Sequence, residues 1–189
     1  MNGIAELARY LIPSLWLIWL AGWLIAARDV KPAQWKEARR EAVVNRAPVL
    51  LGMMLMMIPL PGLDQRIVPR GPQPPFWGVV LTAAGLAFAG WARWHLGRNW
   101  SAEVSVKRDH ALIRSGPYRL VRHPIYSGMV LALAGTALAT GETRSFVGAG
   151  LIGLGFILKL QAEEARMRET FPEYADYCRR TARLIPGLY

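Results

Sequence analysis

Five apolar runs, at residues 4–27, 47–63, 76–96, 124–141 and 145–160, set the strongest limit on what this chain can become. In lipid every backbone N–H and C=O must find a partner within the protein, and runs approaching ~20 residues satisfy them as helices. The expected class is therefore an all-α integral membrane protein with about five transmembrane helices. It forms a single domain over 1–189, with two spans in 1–75 and the remainder in 76–189. An apolar content of 53% with eight tryptophans agrees with that class and not with an ordinary soluble domain. The first run is too long for the core of a signal peptide and reads as a span.

The net charge of +10 raises nucleic acid as a partner, but the basic residues sit between the apolar runs. That is the pattern of loops beside anionic lipid, and no nucleic-acid partner is expected. Lys and Arg number six in 28–46, two in 64–75, six in 97–123 and one in the turn at 142–144. The alternation places the first and third of these segments, with the basic tail, on the cytoplasmic side. Cys178 is the sole cysteine, which excludes an internal disulfide and any multi-cysteine metal site.

Between the spans, 28–46 carries both charge signs. Lys36 with Arg40 and Glu37 with Glu41 recur at a helical spacing, which predicts an interfacial helix. The run at 47–63 is interrupted by Pro48, Pro59 and Pro61 and reads as the second span. Residues 64–75, with five prolines or glycines among twelve, predict an irregular external loop. Small residues mark helix contacts at Gly85 and Ala89, at Gly128, Ala132, Thr136 and Thr140, and at Gly148, Ala149, Gly153 and Gly155. The last span should continue as a helix through 161–168, because no Gly or Pro breaks it before Pro172.

The densest polar punctuation is 116–128, Gly-Pro-Tyr-Arg-Leu-Val-Arg-His-Pro-Ile-Tyr-Ser-Gly. Pro124 suits the first turn of the fourth span and biases His123 toward an extended conformation. The unpaired backbone donors of that helix end are a natural place for a ligand carboxylate. His123 taken alone reads either as a hydrogen-bonded interfacial histidine or as a reactive group. Lys159 and Glu163 lie four apart on one helical face, either as a simple ion pair or as part of a site. His95, His110 and His123 share no metal-ligand spacing, so no metal is expected.

The stretch 110–128, His-Ala-Leu-Ile-Arg-Ser-Gly-Pro-Tyr-Arg-Leu-Val-Arg-His-Pro-Ile-Tyr-Ser-Gly, is followed by Glu163-Glu164 and by Phe-Pro-Glu-Tyr-Ala-Asp-Tyr at 171–177. Together these resemble the isoprenylcysteine carboxyl methyltransferase family and its phospholipid methyltransferase relatives. The resemblance covers roughly the second half of the chain and makes 76–189 the catalytic core; the first two spans carry no family signature.

The resemblance implies a helical membrane enzyme that transfers a methyl group from S-adenosylmethionine to a lipid or prenylated small-molecule acceptor. Its cytosolic cofactor site would form from the loop before the fourth span and the C-terminal helix. By the family pattern His110, Ala111, Leu112 and Ile113 line the cofactor, Tyr118 sits beside it, and His123, Pro124, Ile125 and Tyr126 complete the wall. Glu163, with Glu164 next to it, would hold the cofactor's amino group. Lys159 stands where the family commonly has an arginine that meets the substrate carboxylate; it keeps the charge and loses the bidentate fork. Lys159 and Glu163 are thus the expected catalytic residues. The expected location is a bacterial or archaeal inner membrane, among membrane lipids, with the site facing the cytoplasm. Phospholipid amine N-methylation, a reductase of the sterol-reductase type and a non-catalytic membrane scaffold remain as alternatives.

Overall fold

The computed structural model describes residues 3–28, 33–36, 39–97, 100, 105–107 and 112–187. Five long helices dominate it: α1 (Gly3–Ala26), α2 (Arg39–Met57), α3 (Gln73–Leu96), α4 (Pro124–Thr140) and α5 (Thr143–Thr170). A short α6 (Tyr174–Arg180) follows. The molecule is an all-α membrane protein to which two short strands are added. Helices α1, α3 and α5 are long and apolar enough to cross a membrane, while the apolar parts of α2 and α4 are shorter. The 17 residues of α4 rise about 26 Å, close to the ~30 Å of a bilayer's hydrocarbon core.

Close glycine contacts set two of the helix pairs. In α3 and α4, Gly85 and Gly128 face each other so closely that a side chain on either would collide with the other's carbonyl oxygen. In α2 and α5, Gly52 and Gly148 repeat the arrangement. Without a hydrophobic drive between helices in lipid, such backbone approach is what gains dispersion contacts. Ala89 and Ala132 continue the first seam, fully buried. Thr136 receives a hydrogen bond from the Trp16 indole at 3.0 Å and lies 3.3 Å from Thr82, tying α1, α3 and α4 together. The Thr140 hydroxyl instead turns back to its own helix, donating to the Ala137 carbonyl at 2.9 Å. Gly153 meets no neighbour, so of the glycines on α5 it is Gly148 and Gly155 that face α2.

Three sequence expectations change. Residues 33–36 form a strand, β1 (Ala33–Lys36), antiparallel to β2 (Ser105–Lys107), where an interfacial helix was expected. The partner strand lies far along the chain, so a local charge pattern carries no sign of it; Glu37 falls outside the described residues. Second, α2 begins at Arg39 and stops at Met57, before Pro59 and Pro61, whose rings disfavour helical backbone in the preceding residue. It runs through Pro48 without ending. Third, the irregular loop expected at 64–75 instead runs from 58 to 72, between the end of α2 and the start of α3 at Gln73, and it is tethered. Arg144 donates to the Leu55 and Met56 carbonyls at the end of α2, at 3.2 and 2.8 Å, and pairs with Asp64 and Glu142. Arg66 caps α4 through the Thr140 carbonyl at 2.7 Å.

At the opposite end, Arg93 stitches α1 to α3. Its guanidinium donates to the Ala26 and Gly97 carbonyls, at 2.5 and 2.8 Å, and lies 4.6 Å from the centre of the Trp100 ring. Cations at helix C-termini are favourable because the last carbonyls there lack intrahelical partners. The C-termini of α1 and α3, the N-terminus of α4 and the polar extension of α5 meet at this end, which positions the site.

Candidate active site

The chain enters the site through a tight 3-10 turn at Gly116–Arg119. Gly116 has φ +58° with the His95 imidazole packed against it, so an L side chain there would be strained and would clash. His95 is held by Ser115 Oγ, 2.9 Å from Nε2. Tyr118 is buried at this turn. Its carbonyl accepts the Tyr177 hydroxyl at 2.6 Å, which docks α6 against the turn. Burial, reinforced by the charge of Glu163, raises the pKa of the Tyr118 hydroxyl. Burial likewise pushes Tyr177 up to about 12. Both phenols therefore stay neutral and act as packing and hydrogen-bonding groups.

His123 ends the extended stretch at φ −124° and ψ 61°, and Pro124 opens α4 as its fixed ring geometry favours. The imidazole lies between two carboxylates carried by α5. Nε2 is 3.2 Å from Glu164 Oε1 and Nδ1 is 3.7 Å from Glu163 Oε2. Helix α5 extends past its apolar stretch as expected, and this delivers both carboxylates to the mouth of α4.

The two glutamates have different surroundings. Glu164 is 1% exposed, and its oxygens accept from Arg122 Nε at 3.0 Å and Arg183 Nη2 at 2.8 Å, with Arg168 at 3.4 Å. It lies on the polar extension of α5, beyond the apolar residues. Burial alone would raise its pKa, but hydrogen bonds from His123, Arg183 and Arg122 outweigh burial and hold it well below the usual carboxylate range. Glu163 is 21% exposed. It accepts the Tyr126 hydroxyl at 2.8 Å and has Lys159 Nζ at 3.9 Å. Lys159 also lies 5.9 Å from the centre of the Tyr126 ring, and Phe156 packs on that ring at 5.1 Å.

Of the residues singled out by sequence, His123, Tyr126, Lys159, Glu163 and Glu164 come together as one cluster, with Pro124 buried beneath it. Ile125 and the irregular Leu112 and Ile113 are half-buried. His110 and Ala111 lie outside the described residues. Arg122 and Arg183 carried no individual signal. Arg122 adjoins His123 in the motif and registered as loop charge, while Arg183 was one of many basic residues in the tail. Among the described residues no group of three His, Cys, Asp or Glu is placed to hold a metal ion.

Fold and site thus define a helical membrane protein with a histidine, a tyrosine, a lysine and two unlike carboxylates gathered where two helices leave the apolar layer. A family model for phospholipid methyltransferases matches residues 75–174, which include every member of that cluster, and the chain belongs to this family. It is 34% identical over 98 residues to the cobalt-zinc-cadmium resistance protein CzcN of Cupriavidus metallidurans, covering 49% of this chain and 44% of that one. It is 32% identical over 98 residues to the nickel-cobalt-cadmium resistance protein NccN of Alcaligenes xylosoxydans xylosoxydans, covering 49% and 45%. Similarity to a probable protein-S-isoprenylcysteine O-methyltransferase of Oryza sativa subsp. indica is 30% over 113 residues, covering 58% and 59%. The chain spans about half the length of the curated relatives it matches.

Proposed function

We propose that this chain is a membrane methyltransferase that takes its methyl group from S-adenosylmethionine and delivers it to a lipid-like acceptor, most like isoprenylcysteine carboxyl O-methylation. The observation that carries this reading is Glu163: a carboxylate with open surface, oriented by Tyr126 and flanked by a cation, in a chain of the methyltransferase family. The residues suit the cofactor in kind. Glu163 offers an anion to its ammonium group, and the Tyr126 ring offers an apolar, electron-rich face of the sort that attracts cations by about 0.5–2 kcal/mol. Glu164 already has both oxygens engaged by cations, which makes it a positioning residue and leaves Glu163 as the carboxylate for the ligand.

When bound, the cofactor supplies an electrophilic methyl group, to which the acceptor's lone pair bonds as the carbon–sulfur bond breaks. The protein's share is to hold, orient and desolvate. A carboxylate acceptor needs no base, and Lys159 at the apolar edge of α5 would orient it by charge. The family match favours a second reading, a phospholipid amine as acceptor. A proton must then leave the nitrogen, and Glu163 is the carboxylate accessible to accept it. Apolar surroundings favour lateral entry of the acceptor from the bilayer, with the site on the cytoplasmic face by the charge rule.

Labelled S-adenosylmethionine incubated with the purified protein and extracted lipids is expected to leave its methyl group in an organic-soluble product. No transfer to any lipid fraction, with water-soluble acceptors methylated instead, would overturn the lipid reading; prenylcysteine and phosphatidylethanolamine substrates separate the two acceptor classes. In the same assay Lys159→Ala should keep cofactor affinity and lose acceptor turnover by about 10-fold or more, as expected when an ion pair to the substrate is lost. Weakened cofactor binding with normal turnover at saturation would mean that the roles of Lys159 and Glu163 are exchanged.

A further inference from the structure

After α6 the chain turns back and lies along the segment that enters α4. Ala182 and Val121 form a parallel bridge. The Arg122 N–H donates to the Ala182 carbonyl at 2.9 Å, and the His123 N–H to the Arg183 carbonyl at 3.1 Å. Ser127 Oγ donates to the Leu184 carbonyl at 2.5 Å. The Arg183 side chain points inward onto Glu164, with Nη2 2.8 Å from Oε2 and Nε 3.3 Å from Oε1. Three consecutive tail residues thereby hold the chain at Arg122, His123 and Ser127, and Arg183 also holds the carboxylate that faces His123 Nε2.

We propose that Arg183 and the strap at 182–184 are positioning elements of the cofactor site, fixing His123 between the two glutamates and so setting the direction of the Glu163 carboxylate without touching the ligand. This rests on the assignment of Glu163 to the cofactor. The argument is geometric. His123 carries a conformation outside the regular helical and strand regions, and its N–H donates to the strap. Its ring has one nitrogen toward each glutamate. A shift of the strap would therefore move the ring, and the ring is the direct link from the buried carboxylate to the open one. Glu164 keeps Arg122, Arg168 and His123 when Arg183 is replaced, so its charge stays compensated while the geometry loosens.

The test measures S-adenosylhomocysteine binding by titration calorimetry on the full chain in detergent, well below the melting temperature, with thermal melts alongside. Arg183→Gln is expected to weaken binding about tenfold or more, the scale on which loss of supporting partners commonly acts on a bound group, and Arg183→Lys to recover part of the loss. Ser127→Ala, which removes the side-chain tie to Leu184, should weaken binding in the same direction. Arg144→Gln, at the far end of the molecule, should lower the melting temperature and leave affinity unchanged. Wild-type affinity in folded Arg183→Gln and Ser127→Ala, or an equal loss in Arg144→Gln, overturns the inference alone. Failure of the wild-type protein to bind the probe overturns the cofactor reading, and the inference with it.

Discussion

Glu163→Ala is expected to eliminate measurable S-adenosylmethionine binding while the protein stays folded in the membrane fraction. An ionised hydrogen bond of the kind a carboxylate makes to an ammonium contributes about 1.5–3 kcal/mol, or roughly 10–150-fold in affinity. The substitution also removes the carboxylate beside the Tyr126 hydroxyl and the Lys159 ammonium, so Glu163 no longer offsets that positive charge near a cationic ligand. The structural cost is small by comparison. Glu163 keeps open surface and its neighbours can turn to water, so the loss is near that of one ordinary hydrogen bond, about 1 kcal/mol. Titration calorimetry with the cofactor, and detergent-extracted yield as the folding measure, check the two halves separately. Unchanged affinity would remove Glu163 from the site.

Glu164→Gln should do the reverse and strike the fold. The carboxylate is 1% exposed and binds Arg122 and Arg183, themselves little exposed. Breaking a buried pair by removing one partner's charge typically costs about 3–5 kcal/mol, because the remaining charges stay buried without compensation. A large fall in melting temperature and extracted yield is the expected result. The same residue sets a pH dependence. Its pKa is depressed in the folded protein, so its stabilisation is complete above the unfolded value of about 4.3 and is lost as the pH falls below that. The gap in melting temperature between wild type and Glu164→Gln should therefore narrow as the pH falls below ~4. A gap independent of pH would mean that the arginines gain nothing from the negative charge.

These opposite outcomes for adjacent residues show where sequence reading stops. The pair Glu163-Glu164 is conspicuous in the sequence, and the unbroken helical pattern before Pro172 places it correctly beyond the apolar part of α5. Two neighbours on a helix point about 100° apart, so they must face different surroundings. What fills each direction is set by residues brought from other parts of the chain, and local periodicity contains no record of them. Arg183 registered only as one of many charges in a basic tail, yet it is among the groups that separate a buried anchor from an accessible carboxylate. The strand at Ala33–Lys36 escaped detection for the same reason, its partner at Ser105–Lys107 lying across two helices in sequence.

By itself the sequence determined the elements whose causes are local. Apolar run length dictated the long helices, proline chemistry placed the start of α4 at Pro124, and small residues marked the α3–α4 seam. The His123 to Tyr126 motif and the distal glutamates also carried the resemblance to the methyltransferase family to which the chain belongs. Only the tertiary structure decided which glutamate is open, which arginines bury the other, and that the tail returns to hold the entrance of α4. The physical reason is that burial and charge compensation depend on groups close in space, whereas helix length and backbone breaks depend on groups close in sequence.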